Sequence, residues 1–197
     1  FLVYEDDPDN RGVVVTPSEE LLELVNKAGS NGISVAIHAI GDKANRSALD
    51  VLEDSRRDNL RSWKEFDLRQ RIEHAQLLTP EDLPRFSQLG IIASLQPIHA
   101  TSDMFIASKF WGERSRFSYA SRSLLDRGTI IAFGSDCPVE SPDPLKGIYA
   151  AVTRRRENGE PAEGWYPEER ITAAEALNAY TKGAAYASHE EDIKGTI

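Results

Sequence analysis

The chain has 197 residues, 40% of them apolar, enough for one buried core. Its net charge of −9 argues against a nucleic-acid or anionic-membrane surface. A single cysteine excludes an internal disulfide and fits a reducing cytoplasm, and no apolar run approaches the ~20 residues of a membrane-spanning helix. The first residues are Phe1-Leu2-Val3 and the only Met is Met104, so the expectation is a piece of a longer protein.

Residues 1–15 are dense in turn formers and read as loop. Thr16-Pro17-Ser18-Glu19 reads as a helix start, with Thr16 as the cap, and Gly32 ends that helix. Ile33–Ile37 is a strand running into His38. Gly41-Asp42 turns the chain into a helix over 44–54, and the polar stretch 55–68 reads as a surface connection. Arg69–Glu73 is the next strand and runs into His74. Thr79-Pro80-Glu81-Asp82 starts a helix that stops at Gly90, and Ile91–Gln96 is a third strand, ended by Pro97.

Residues 98–114 read as a long irregular loop and 117–127 as a helix ending at Gly128. The run Thr129-Ile130-Ile131-Ala132-Phe133-Gly134-Ser135-Asp136 is a buried strand that finishes on a carboxylate. A helix over 145–155, a loop, and a final helix from Thr172 to about Ala187 complete the chain, with Thr172 and Glu175 as a capping box. Alternating strand and helix imply a parallel sheet with right-handed crossovers.

Three strands thus end on His38, His74 and Asp136. Singly, each is an ordinary hydrogen-bonding or capping residue. Together, at the carboxyl ends of neighbouring parallel strands, they converge on one mouth. Neutral imidazoles suit Zn²⁺ and similar ions, and a carboxylate both ligates an ion and accepts a proton from water.

The segments His38-Ala39-Ile40-Gly41-Asp42, Arg71-Ile72-Glu73-His74-Ala75-Gln76, Gln96-Pro97-Ile98-His99 and Gly134-Ser135-Asp136-Cys137-Pro138 resemble the amidohydrolase superfamily, in its YtcJ-like branch that includes N-substituted formamide deformylases. The helix Ala176–Ala187 is similar as well, so the likeness runs from about Arg11 to the end of the chain. It implies an α/β fold, the C-terminal half (strands 5 to 8) of a (β/α)₈ TIM barrel of the amidohydrolase type. Residues 1–197 would then form a partial barrel domain without the N-terminal half or the β-sandwich. It also implies that His38, His74 and Asp136 hold a divalent metal, zinc first, as one or two ions. Asp136 would shuttle the proton.

Asp42 and Glu73 are candidate partners of the two histidines, against turn cap or strand-end ion pair. Gln96 and His99 are candidate substrate contacts, Arg122 reads first as a solvated helix residue, and Phe105, Phe110 and Trp111 are either an apolar lid or loop packing. The expected activity is hydrolysis of a carbon–nitrogen, amide-type, non-peptide bond in a small molecule, with a homo-oligomer possible and the fragment alone inactive. The rivals are a non-catalytic barrel with a binding or regulatory role, and an ester or lactone hydrolase or isomerase on the same site.

Overall fold

The computed structural model describes Asp7 and residues 9–196. Helix α1 (Ser18–Ser30) precedes four units of strand and helix: β1 (Ala36–Ala39) with α2 (Asp42–Asp58) and α3 (Leu60–Glu65), then β2 (Arg71–His74) with α4 (Leu83–Leu89). The third is β3 (Ile92–Leu95) with α5 (Pro97–Trp111), a 3₁₀ turn (Gly112–Phe117) and α6 (Ser121–Leu125). The fourth is β4 (Ile131–Phe133) with α7 (Pro144–Thr153), followed by α8 (Ala173–Asn178), a π turn (Ala179–Gly183) and α9 (Ala184–Ala187). The sheet is parallel in the order β1-β2-β3-β4. Among the described residues no helix is long and apolar enough to cross a membrane.

The pleat sorts the strand residues onto two faces. In register, Ile37, Ile72, Ala93 and Ile131 lie on one side, continued by Ala39, Leu95 and Phe133. This is the helix-covered side, where Ile72, Ala93, Leu95, Ile131 and Phe133 join Val25, Leu49, Leu52, Phe86, Leu124 and Ala176 in the main core. The other side carries Ala36, His38, Arg71, Glu73, Ser94 and Ala132. Ile92, in register with Arg71, is on this side too, among mostly polar residues, with Arg71 Nε donating to Glu73 at 2.5 Å.

The strand-helix alternation expected from the sequence is present, and several boundaries differ. Helix α1 begins at Ser18 with extended Pro17 in the cap position and no side-chain cap, so Thr16 lies one residue too early to act. The expected surface connection 55–68 is largely helical, since α2 continues to Asp58 and α3 follows. Exposed pairs such as Arg61–Glu65, 3.4 Å apart, support a helix with little apolar pattern. The expected loop 98–114 is mostly α5, started by Pro97 at its first turn. Its buried residues, Ala100, Thr101, Met104 and Ala107, are mixed with exposed Phe105 and Ile106, so no one-sided stripe announces it.

Helix α6 is only five residues long, inside the expected 117–127. The capping box of Thr172 and Glu175 is formed as expected. The helix it opens is interrupted by the π turn. Gly183 in that turn lies so close to β4 that a Cβ there would collide with the Ile131 carbonyl oxygen.

Candidate metal centre

The site is assembled by the segments that leave the carboxyl ends of β1, β2, β3 and β4. Asn45, fully buried near the start of α2, holds the first two together: its Nδ2 lies 3.3 Å from the Ala39 carbonyl and 3.1 Å from the Leu77 carbonyl. Leu77 N–H also donates to the Ile40 carbonyl at 2.9 Å.

His38 stands at the end of β1, on the polar face. His74 pairs in register with Ala39, so plain alternation would send it to the opposite, helix-covered side. Its backbone is left-handed, φ 71°, and Ala75 follows at φ 41°. The turn brings the His74 ring to the His38 ring, edge on, with centroids 4.5 Å apart. Asp136 is left-handed too, at φ 56°. For a non-glycine residue this conformation costs about 1–2 kcal/mol. Two such residues at one cluster mark a geometry the rest of the fold imposes.

His99, from the first turn of α5, completes the group. Its ring stacks near His74 with centroids 5.9 Å apart, and its Nε2 is 3.4 Å from Asp136 Oδ2. One ligating atom each from His74, His99 and Asp136 falls within 4.8 Å of the others. Gln96 Oε1 accepts from His74 Nδ1 at 2.8 Å, which leaves the Nε2 lone pair free. Burial pulls the His74 pKa below its usual value, the neighbouring His38 adds to this, and the Gln96 hydrogen bond opposes it. The imidazole is thus held neutral, the form that ligates a metal. The donor set fits a divalent ion: two or three imidazoles and a carboxylate, one imidazole fixed from behind by a hydrogen bond.

The other expected residues are placed as follows. Asp42 is buried and accepts from Arg114 at 2.9 Å, while its Oδ1 caps the Lys43 N–H. Glu73 is paired with Arg71. The ion-pair and cap alternatives therefore describe their contacts. Gln96, a candidate substrate contact, is hydrogen-bonded to His74, and His99, the other such candidate, lies in the ligand cluster. Arg122 is tied to Asp126 and Glu175, away from the group. Cys137 is exposed and free. Two residues that sequence reasoning missed are Arg114, on Asp42, and Glu140, whose Oε1 is 3.7 Å from His99 Nδ1. Neither had a signal: Arg114 sits in the stretch read as loop, and Glu140 in a proline-punctuated turn.

A parallel α/β sheet with histidines and an aspartate gathered at its carboxyl ends is an arrangement able to hold a divalent metal ion. The chain belongs to the amidohydrolase family, whose model matches residues 3–197. It is 41% identical over 196 residues to the protein LONG AFTER FAR-RED 3 of Arabidopsis thaliana, covering 98% of this chain and 33% of that protein. It is 34% identical to YtcJ of Bacillus subtilis (98% of this chain, 36% of that one) and 32% identical to the N-substituted formamide deformylase of Arthrobacter pascens (90% and 32%). Among solved structures, an uncharacterized metal-dependent hydrolase from Pyrococcus horikoshii matches with a TM-score of 0.81 and 34% identity, over 99% of this chain and 38% of that one. The chain thus spans about a third of the length of the curated relatives it matches.

Proposed function

We propose that this chain is the C-terminal half of a (β/α)₈ barrel in a metal-dependent hydrolase that cleaves a carbon–nitrogen, amide-type bond in a small molecule. The observation that carries the reading is the convergence of His74, His99 and Asp136 within 4.8 Å, beside His38, at one edge of a parallel sheet. The sheet face that carries His38, Glu73 and Ser94 is read as the lining of the barrel's interior. His38, His74 and Asp136 would hold the ion, zinc first, with His99 beside them. A bound ion of this kind lowers the pKa of water towards 7 and polarises a carbonyl. Asp136 accepts the proton of the attacking water at its carboxylate and returns it to the departing amine nitrogen. Gln96 keeps the His74 ring in one tautomer and one orientation throughout. A cytoplasmic location and a non-nucleic-acid substrate belong to the same reading, supported by the single cysteine and the acidic balance.

The test is elemental analysis of the protein in its full natural length, beside His38→Ala and His74→Ala. Near-stoichiometric metal that drops in both variants is the expected result. Metal-free protein, or content indifferent to both changes, would overturn the reading in favour of a barrel that binds without catalysis.

A further inference from the structure

A cavity of about 380 Å³ lies next to the centre, between the start of α5, α7 and the segment after it. That size falls in the range of small-ligand sites, roughly 300–1,000 Å³. Its wall includes Ile98, which immediately precedes His99, and Glu140, which faces His99 Nδ1. Cavity and ligand cluster therefore share the His99 side.

The charges lining it do not cancel. Lys146 is matched by Glu157 at 2.8 Å. Arg156 lies over the Phe105 ring at 4.7 Å and donates to the Thr101 carbonyl at 3.3 Å. Arg155 differs from both. Its Nε is fully buried without a hydrogen-bond partner, and its guanidinium joins no ion pair among the described residues. A buried donor left unpaired is destabilising, the more so when it is charged. Three cations against two carboxylates leave the lining one positive charge in excess.

We infer that this cavity is a carboxylate subsite: Arg155 receives the single carboxylate of an amide substrate whose scissile carbonyl lies at His99 and Asp136. The inference rests on the hydrolase reading above and narrows it to monoanionic amides. A planar guanidinium fork matches one carboxylate in a bidentate way. One excess charge suits a carboxylate better than a doubly charged phosphate.

The test compares binding of N-formylphenylalanine and its methyl ester to the ion-stripped, full-length protein by calorimetry. The free acid is expected to bind at least about tenfold tighter than the ester, the scale of one charged hydrogen-bonded contact. Arg155→Ala removes that preference, Arg155→Lys restores part of it, and Arg57→Ala, at an exposed pair far along the chain, leaves it intact. Equal binding of acid and ester overturns the subsite, as it would if a carboxylate from elsewhere in the longer chain already sat on Arg155. Survival of the preference in Arg155→Ala with an unchanged unfolding midpoint overturns it too. Should Arg155→Ala fail to fold, the lysine variant and the acid–ester comparison in unsubstituted protein decide. Preference for the acid without turnover of either compound upholds the subsite and defeats the hydrolase reading. Equal binding with turnover of both does the reverse.

Discussion

The two ends of the sheet use similar residues in opposite ways. At the amino end, Arg69 is answered on every side by neighbours. Arg69 lies over the Tyr186 ring at 3.8 Å, donates to the Tyr186 carbonyl at 2.7 Å, and pairs with Asp67 and Glu191 at 2.9 and 2.7 Å. Ser34 Oγ accepts from the Arg69 N–H, and Gln70 Oε1 from the Val35 N–H, so β1 and β2 are stitched before they pair. At the carboxyl end the backbone is left-handed at His74 and Asp136, and the imidazoles of His38, His74 and His99 lie ring beside ring. The amino end is braced by ion pairs, although Gln70 Nε2 and Thr129 Oγ1 are buried there without a hydrogen-bond partner, and the carboxyl end gathers the ligand cluster. In parallel α/β folds that division separates stability from chemistry.

The contrast yields variants that should strike one end and spare the other. The largest effect is expected for Asp136→Asn, which keeps shape and tolerates the left-handed backbone. Turnover of the full-length enzyme should fall by roughly 10²–10⁴-fold, while the thermal midpoint stays nearly unchanged, as kinetics and calorimetry will read. Gln96→Leu removes the hydrogen bond behind His74. It should weaken metal affinity by about 10–100-fold, measured by chelator competition.

Arg69→Ala tests the opposite end. It should cost about 1–3 kcal/mol in denaturant unfolding and leave metal content untouched. The smallest effect is on acid stability. Arg69 holds the Glu191 carboxyl down to about 2, and Arg122 with the Thr172 backbone holds Glu175 down to about 2. Both folded values lie below the ordinary 4.5. Their contribution is thus present above pH 4.5 and is lost as the pH falls towards 2. Glu175→Gln should flatten the decline of the urea midpoint across that window.

The sequence was legible wherever local chemistry and tertiary structure agreed. Buried strands closed by Gly or Pro, the Thr172–Glu175 capping box and the three strand-end residues could all be read from residue type and order. The helical α3 and α5 could not, because their apolar residues form no stripe and their stability comes from neighbours. The role of His99 was hidden for the same reason: it stands on a helix taken for a loop. The least legible feature was which way His74 points. Alternation from Ile72 directs it under the helices, and only a backbone angle that histidine seldom adopts turns it to His38. The partners of Asp42 and Glu73 are arginines, one 72 residues away in sequence and one two residues away. Spacing alone does not choose between such a partner and a histidine.

That left-handed turn sets conformational economy against competence at one position. Asparagine enters this region more readily than histidine. In ion-free protein, His74→Asn should therefore raise the unfolding free energy by up to about 1 kcal/mol while destroying the site. A screen that rewards thermal endurance alone would drift towards inactive protein at residue 74. What a histidine contributes at that position is its ring, at the expense of backbone ease.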